Sequence, residues 1–166
     1  METFEKLEKN ETFKDRLKVE DFLMQRPPFL FVDEILSFDP DKNVIKTRKY
    51  FSGEEDFFKG HFPGFPVIPG VILCEAQFQA ASILMGMRQG SNKMKSLGVI
   101  SKIESCRFKK LLHPPVSLIQ ETELVEQLGN AYYFKGTTLI QNETGKVLNL
   151  QFTCSSLQDR EAAWSI

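Results

Sequence analysis

Cysteine is scarce and scattered in this sequence. Its three residues, Cys74, Cys106 and Cys154, lie 32 and 48 positions apart, so no metal-ligand spacing is present. An odd, sparse count suits a reducing cytoplasm, which is the expected location, and Cys74, set in an apolar run, reads as an inert core thiol. An excess of one charge is missing too: 21 Lys and Arg against 22 Asp and Glu leave a net charge of −1, too weak a field to attract nucleic acid. No cationic start leads into an apolar stretch, so a secretory signal is not expected. Internal repeats and low-complexity tracts are absent. What remains is ordinary for a soluble globular protein, with 42% apolar and 26% charged residues in a 166-residue chain long enough for one real core.

The organising stretch is Gly60 to Gln79. Pro63, Pro66 and Pro69 recur every third residue and fix φ, while Gly60, Gly64 and Gly70 permit turns and close approach. A loop of this kind is ordered without regular structure, and it presents His61. Pro69 is expected at the first helical position, where its missing N–H is harmless. From Val71 to Met87 the chain is apolar almost all round, which predicts a helix buried within the protein. It is too short for a comfortable membrane span. Glu75, Gln79 and Ser82 fall at i, i+4 and i+7, a narrow polar stripe on that rod. A charged, unpaired carboxylate there costs several kcal/mol, so Glu75 is partnered, protonated or functional.

His61 and Glu75 together suggest acid–base chemistry. Desolvation raises a carboxyl pKa, letting Glu75 donate a proton near neutral pH, and a neutral His61 can accept one. The unpaired N–H groups of the first helical turn, Gly70 among them, can hold a carbonyl oxygen that gains negative charge. A base, an acid and an oxyanion site fit elimination of water from a β-hydroxy carbonyl compound.

His61-Phe62-Pro63-Gly64 and Pro69-Gly70-Val71-Ile72-Leu73-Cys74-Glu75-Ala76, with the two ionisable residues fourteen apart, resemble the motif of FabZ-type 3-hydroxyacyl-acyl-carrier-protein dehydratases, of the hot-dog-fold FabA/FabZ family. Gln79 matches as well. The resemblance runs from about Val19 to Leu157 and includes Arg26, Pro28-Phe29-Leu30, Val32-Asp33 and Arg107-Phe108-Lys109-Lys110. The FabA type carries Asp in place of Glu75, so the chain sides with FabZ. It departs at Leu23-Met24-Gln25-Arg26-Pro27-Pro28-Phe29, where the family reads Leu-Pro-His-Arg-Tyr-Pro-Phe, and at Pro114-Pro115-Val116, where the family has a Pro-Gly-Asp turn. Ile68 stands for a common Met. That last is a conservative apolar swap; the first two bear on acyl specificity and assembly more than on chemistry.

The resemblance implies a cytoplasmic hydro-lyase with His61 and Glu75 catalytic and with Gly70, Phe62 and Gln79 at the oxyanion and substrate subsites. Gln79 has a second reading, as partner to a neighbouring backbone group. The resemblance further implies a homodimer, open to larger assembly, with each site shared between subunits. Arg107, Lys109 and Lys110 would meet the acyl carrier protein, whose phosphopantetheine carries the substrate; a solvated strand edge is the plainer reading of those cations. No metal or other cofactor is expected, since elimination needs neither electron transfer nor a hard Lewis acid. Two alternatives stay open: another thioester activity on the same fold (hydratase or thioesterase), and a non-catalytic acyl-binding or assembly subunit.

The remaining chain predicts the rest of the fold. Residues 1–18 form a charged extension, either a helix lying on the domain or a docking segment; 19–157 form the single domain; 158–166 form a tail. A short helix is expected near Val19–Met24. Strands are expected over Phe29–Ser37, Val44–Phe51 and then, after the helix, about 95–108, 116–128, 131–141 and 146–157. Glu54, Glu55 and Asp56 read as a solvated loop edge, and His113 as a loop residue. This order predicts an α+β protein, an antiparallel sheet wrapped around a long central apolar helix.

Overall fold

A computed structural model describes residues 17–90 and 97–157. All of the expected N-terminal extension but its last two residues, and the whole expected tail, lie outside the described residues. Six strands, β1 (Glu34–Asp39), β2 (Val44–Phe51), β3 (Leu97–Phe108), β4 (Val116–Leu128), β5 (Ala131–Ile140) and β6 (Lys146–Leu157), form one antiparallel sheet in the order β1-β2-β4-β5-β6-β3. Among the described residues one α-helix, α1 (Gly70–Arg88), packs against this sheet. Along β6, Leu148, Leu150 and Phe152 point inward, as the period of two requires. They meet Leu73, Ala76, Ala80, Ile83 and Leu84 of α1 in one core that also takes Ile45, Leu118 and Phe134. Each large side chain so buried contributes roughly 1.5–3 kcal/mol. By length and composition α1 could cross a membrane, but most of it is buried inside the protein.

The core also holds a polar patch. Gln77, fully buried, donates Nε2–H to Thr138 Oγ1 at 3.0 Å and accepts from Thr122 Oγ1 at 2.6 Å. Both bonds run from helix to sheet and fix the rotation of α1, because a buried amide left unpaired is costly. Gly136 lies beneath this amide; a Cβ there would stand 2.5 Å from Gln77 Oε1.

Several expected boundaries move. The first strand starts at Glu34, not Phe29, because the backbone of Phe29 and Phe31 bonds to a side chain of α1 and not to a neighbouring strand. Pro69 is the N-cap, extended at ψ 132°, and Gly70 is the first helical residue. The short helix is a single 3₁₀ turn, Val19–Asp21; the Arg26 guanidinium donates to the carbonyls of Glu20 and Leu23. The expected acidic loop edge contains a second 3₁₀ turn, Asp56–Lys59, and Glu55 is more than solvated. Its carboxylate accepts from the Ser52 and Gly53 N–H groups, which, despite the opposing effect of partial burial, hold it below the usual carboxylate range.

Candidate active site

The loop ahead of α1 is held by its backbone. Phe62 and Phe65 exchange N–H···O bonds of 3.1 and 2.9 Å across Pro63-Gly64, where Gly64 takes φ +73°, a left-handed value that favours a residue without Cβ. Val67 N–H donates to His61 O at 3.0 Å, and Ile68 N–H to Leu112 O at 2.9 Å. His113 braces the same loop: its Nδ1 lies 2.7 Å from Pro66 O and its ring meets Phe65 edge-on. The peptides His61-Phe62, Pro27-Pro28 and Pro114-Pro115 are cis.

His61 is half-buried, with its ring stacked on Phe62 at 4.2 Å between centroids. Its Nδ1 lies 2.8 Å from Val67 O. A carbonyl oxygen can only accept, so Nδ1 carries the hydrogen, and in the neutral ring Nε2 is left with its lone pair free. The loop sets the tautomer and leaves one ring nitrogen able to accept a proton.

Glu75 sits in the second turn of α1. Burial pushes its carboxyl above the ordinary value of 4.5, and the Gln79 amide, which favours the carboxylate, draws it partway back. Gln79 is fully buried and makes three hydrogen bonds. Its Nε2 donates to Glu75 Oε1 at 2.9 Å and to Phe29 O at 3.0 Å, while its Oε1 accepts from Phe31 N–H at 2.8 Å. The two readings of Gln79 therefore coincide geometrically: one amide holds Glu75 and satisfies the backbone of 29–31. Replacing it with leucine should lower stability by about 2–3 kcal/mol in urea denaturation, since Phe31 N–H and Phe29 C=O are left unpaired.

At the start of α1 the Gly70 N–H has no hydrogen-bond acceptor among the described residues. The Phe108 ring covers this position so closely that a Cβ at 70 would stand 2.8 Å from it. Among the described residues no hydrogen bond or ion pair joins His61 to Glu75. Ser82, the third member of the polar stripe, turns back to Phe78 O at 3.2 Å and lines an apolar cleft with Phe78, Met85 and Ile100.

The basic residues divide. Lys110 is paired with Glu143 at 2.9 Å, and Lys109 Nζ lies 3.2 Å from the Asn149 amide oxygen once that amide is turned to satisfy both ends. Arg107 borders an open depression of about 400 Å³ on the outer sheet face with Lys135 and Lys146, two cations sequence reasoning missed because they join Arg107 only across β5 and β6. Among the described residues no cluster of three or more His, Cys, Asp or Glu could hold a metal ion.

An antiparallel sheet wrapped around one long helix is the hot-dog fold, and the Dehydratase Heterocomplex ApeI:P of Xenorhabdus doucetiae shares it, with a TM-score of 0.71 at 16% identity over 89% of this chain and 95% of that one. The profile of the FabA-like domain matches residues 23–149. A 3-hydroxyacyl-[acyl-carrier-protein] dehydratase FabZ of Listeria welshimeri is 34% identical over 143 residues, 86% of this chain and 97% of its own. An uncharacterized thioester dehydrase of Halalkalibacterium halodurans is 38% identical over 130 residues, 78% of this chain and 81% of its own. The chain belongs to the FabA/FabZ family, and it is an enzyme of the hydro-lyase class.

Proposed function

We propose that this protein eliminates water from a 3-hydroxyacyl thioester carried on an acyl carrier protein, giving the trans-2-enoyl thioester in fatty-acid or related lipid or polyketide synthesis in the cytoplasm. The observation that carries the reading is the setting of two side chains: the Nδ1 bond of His61 to Val67 O leaves Nε2 as the proton-accepting nitrogen of the neutral ring, and burial raises the Glu75 carboxyl toward its acid form. Nε2 removes a C2 proton, and the thioester oxygen takes up negative charge against the Gly70 N–H. As the C3–O bond breaks, Glu75 protonates the departing hydroxyl and water leaves from a new C2–C3 double bond. The imidazolium and carboxylate left behind are reset by exchanging one proton with solvent. Phe62, stacked beside the base, borders the substrate, and Gln79 aims the acid.

A second copy of the chain completes the site in this reading. β3 is an edge strand whose inward-facing Ile103 and Phe108 are about half exposed. Val71, at 73% exposure, and Phe62 and Phe65 lie bare at the nearby helix start and loop. Apolar surface of that extent beside a strand edge that no other described strand covers suits a homodimer that brings His61 of one subunit to Glu75 of the other.

Incubation with 3-hydroxyacyl carrier protein tests the reaction: enoyl thioester is expected, whereas free thiol identifies a thioesterase and tight carrier binding without product identifies a binding subunit. Docking is tested separately. Reversing charge at Arg107 and Lys109 should raise KM for the carrier-linked substrate about tenfold and leave a short thioester analogue unaffected; equal effects on both would contradict docking there.

A further inference from the structure

Two thiols that stand 32 residues apart in sequence meet in space. Cys74, buried on α1, and Cys106, exposed on β3, have their Sγ atoms 3.7 Å apart. The residues around the pair belong to the site just described. Cys74 precedes Glu75, and Cys106 stands two residues before Phe108, whose ring covers Gly70. A disulfide needs about 2.05 Å between sulfurs, so closing this gap takes a shift of about 1.7 Å, shared between two side chains and the elements that bear them.

We infer that Cys74 and Cys106 are an oxidation site, forming an intrachain disulfide with peroxide that stops turnover until a thiol reduces it. Cys106 reacts first because Cys74 is buried within its own chain; the Cys106 sulfur attacks the peroxide, the O–O bond breaks, and a sulfenic acid and one water result. Cys74 Sγ then attacks Cys106 Sγ, the S–O bond breaks, and the departing hydroxide leaves as a second water with the Cys74 proton. Two electrons pass from the sulfurs to the peroxide. Burial, reinforced by the adjoining Cys106, pushes the Cys74 thiol up to about 12, so little thiolate is available there and direct attack on an oxidant in solution is disfavoured. The order of events follows from this asymmetry. Once formed, the bond draws the turn bearing Glu75 toward β3, and misplacing a catalytic group by about 1 Å can lower turnover by a factor on the order of 10².

The activity half of the inference rests on the dehydratase reading; the covalent half does not, and the experiment separates them. Wild type, Cys106→Ser and Cys154→Ser are treated with hydrogen peroxide, then resolved by non-reducing electrophoresis, peptide mass mapping and turnover assay. Wild type and Cys154→Ser should form a 74–106 linked peptide pair within a monomer-sized chain, losing turnover at least tenfold and regaining it with dithiothreitol. Cys106→Ser should keep its basal rate and be insensitive. Absence of the linked peptides, or cross-linking only between two chains, would overturn the site. Linked peptides with turnover unchanged would overturn the control of activity, and a wild type inactive before oxidation but still forming the link would overturn the dehydratase reading instead.

Discussion

Replacing His61 with alanine should lower turnover of a 3-hydroxyacyl thioester by about 10²–10⁴-fold, the range typical of losing a positioned base, while leaving the protein folded. The loop that carries His61 is fastened by main-chain bonds, from His61 N–H to Phe57 O, from Val67 N–H to His61 O and between Phe62 and Phe65. Alanine keeps all of them. Only the Nδ1 bond to Val67 O and the stacking on Phe62 are lost, worth about 1 kcal/mol for a half-exposed hydrogen bond. Parallel circular-dichroism melts and turnover assays separate the two effects: near-normal unfolding with turnover lost supports the role of the base, and turnover within a few-fold of wild type rejects it.

Replacing Glu75 with glutamine should also lower turnover by about 10²–10⁴-fold, because glutamine cannot give up a proton, and yet it should stabilise the fold above acidic pH. Glutamine Oε1 can accept from Gln79 as the carboxylate does, so the local bond survives. The sign of the stability change follows from linkage. In the folded protein Glu75 titrates above its ordinary value of 4.5 because of burial. Between 4.5 and that raised value the native state binds more protons than the unfolded chain, so the wild type loses stability as pH rises through the window, and above it the loss is complete. The glutamine variant does not titrate there. Its advantage in urea midpoint over wild type should therefore be larger at pH 8 than at pH 4. The same titration gives the wild-type rate an alkaline limb as the acid form of Glu75 is depleted.

Sequence and structure agree most closely where local chemistry decides. The expected helix over 71–87 is seen as Gly70–Arg88, and β2 keeps its expected ends, because apolar patterning and the flanking turn residues act within a few positions. Agreement weakens where a distant partner decides. Phe29–Asp33 has the composition of a strand but spends hydrogen bonds on Gln79, 48 to 50 residues away, so pairing with β2 as a ladder begins only at Glu34. Gln77 was likewise invisible as a core residue, since its partners Thr122 and Thr138 come from strands that only the fold brings beneath it. The pairing of Cys74 with Cys106 is the sharpest case: an apolar context predicts an inert thiol, and only the packing of α1 against an edge strand gives it a neighbour. For the candidate site, the residue types and spacing were readable. The tautomer of His61 and the Gln79 bridge to Glu75 depended on loop geometry.

The central claim, that His61 of one subunit and Glu75 of another form a single acid–base pair, is tested most directly by mixing the two inactive variants. His61→Ala and Glu75→Gln chains are unfolded together, refolded in equal amounts and assayed for enoyl thioester. Random pairing makes half the dimers mixed, and each mixed dimer has one site with both native side chains, so turnover should return to about a quarter of wild type. Refolded mixtures as inactive as either variant alone, beside a refolded wild type that recovers, would contradict it.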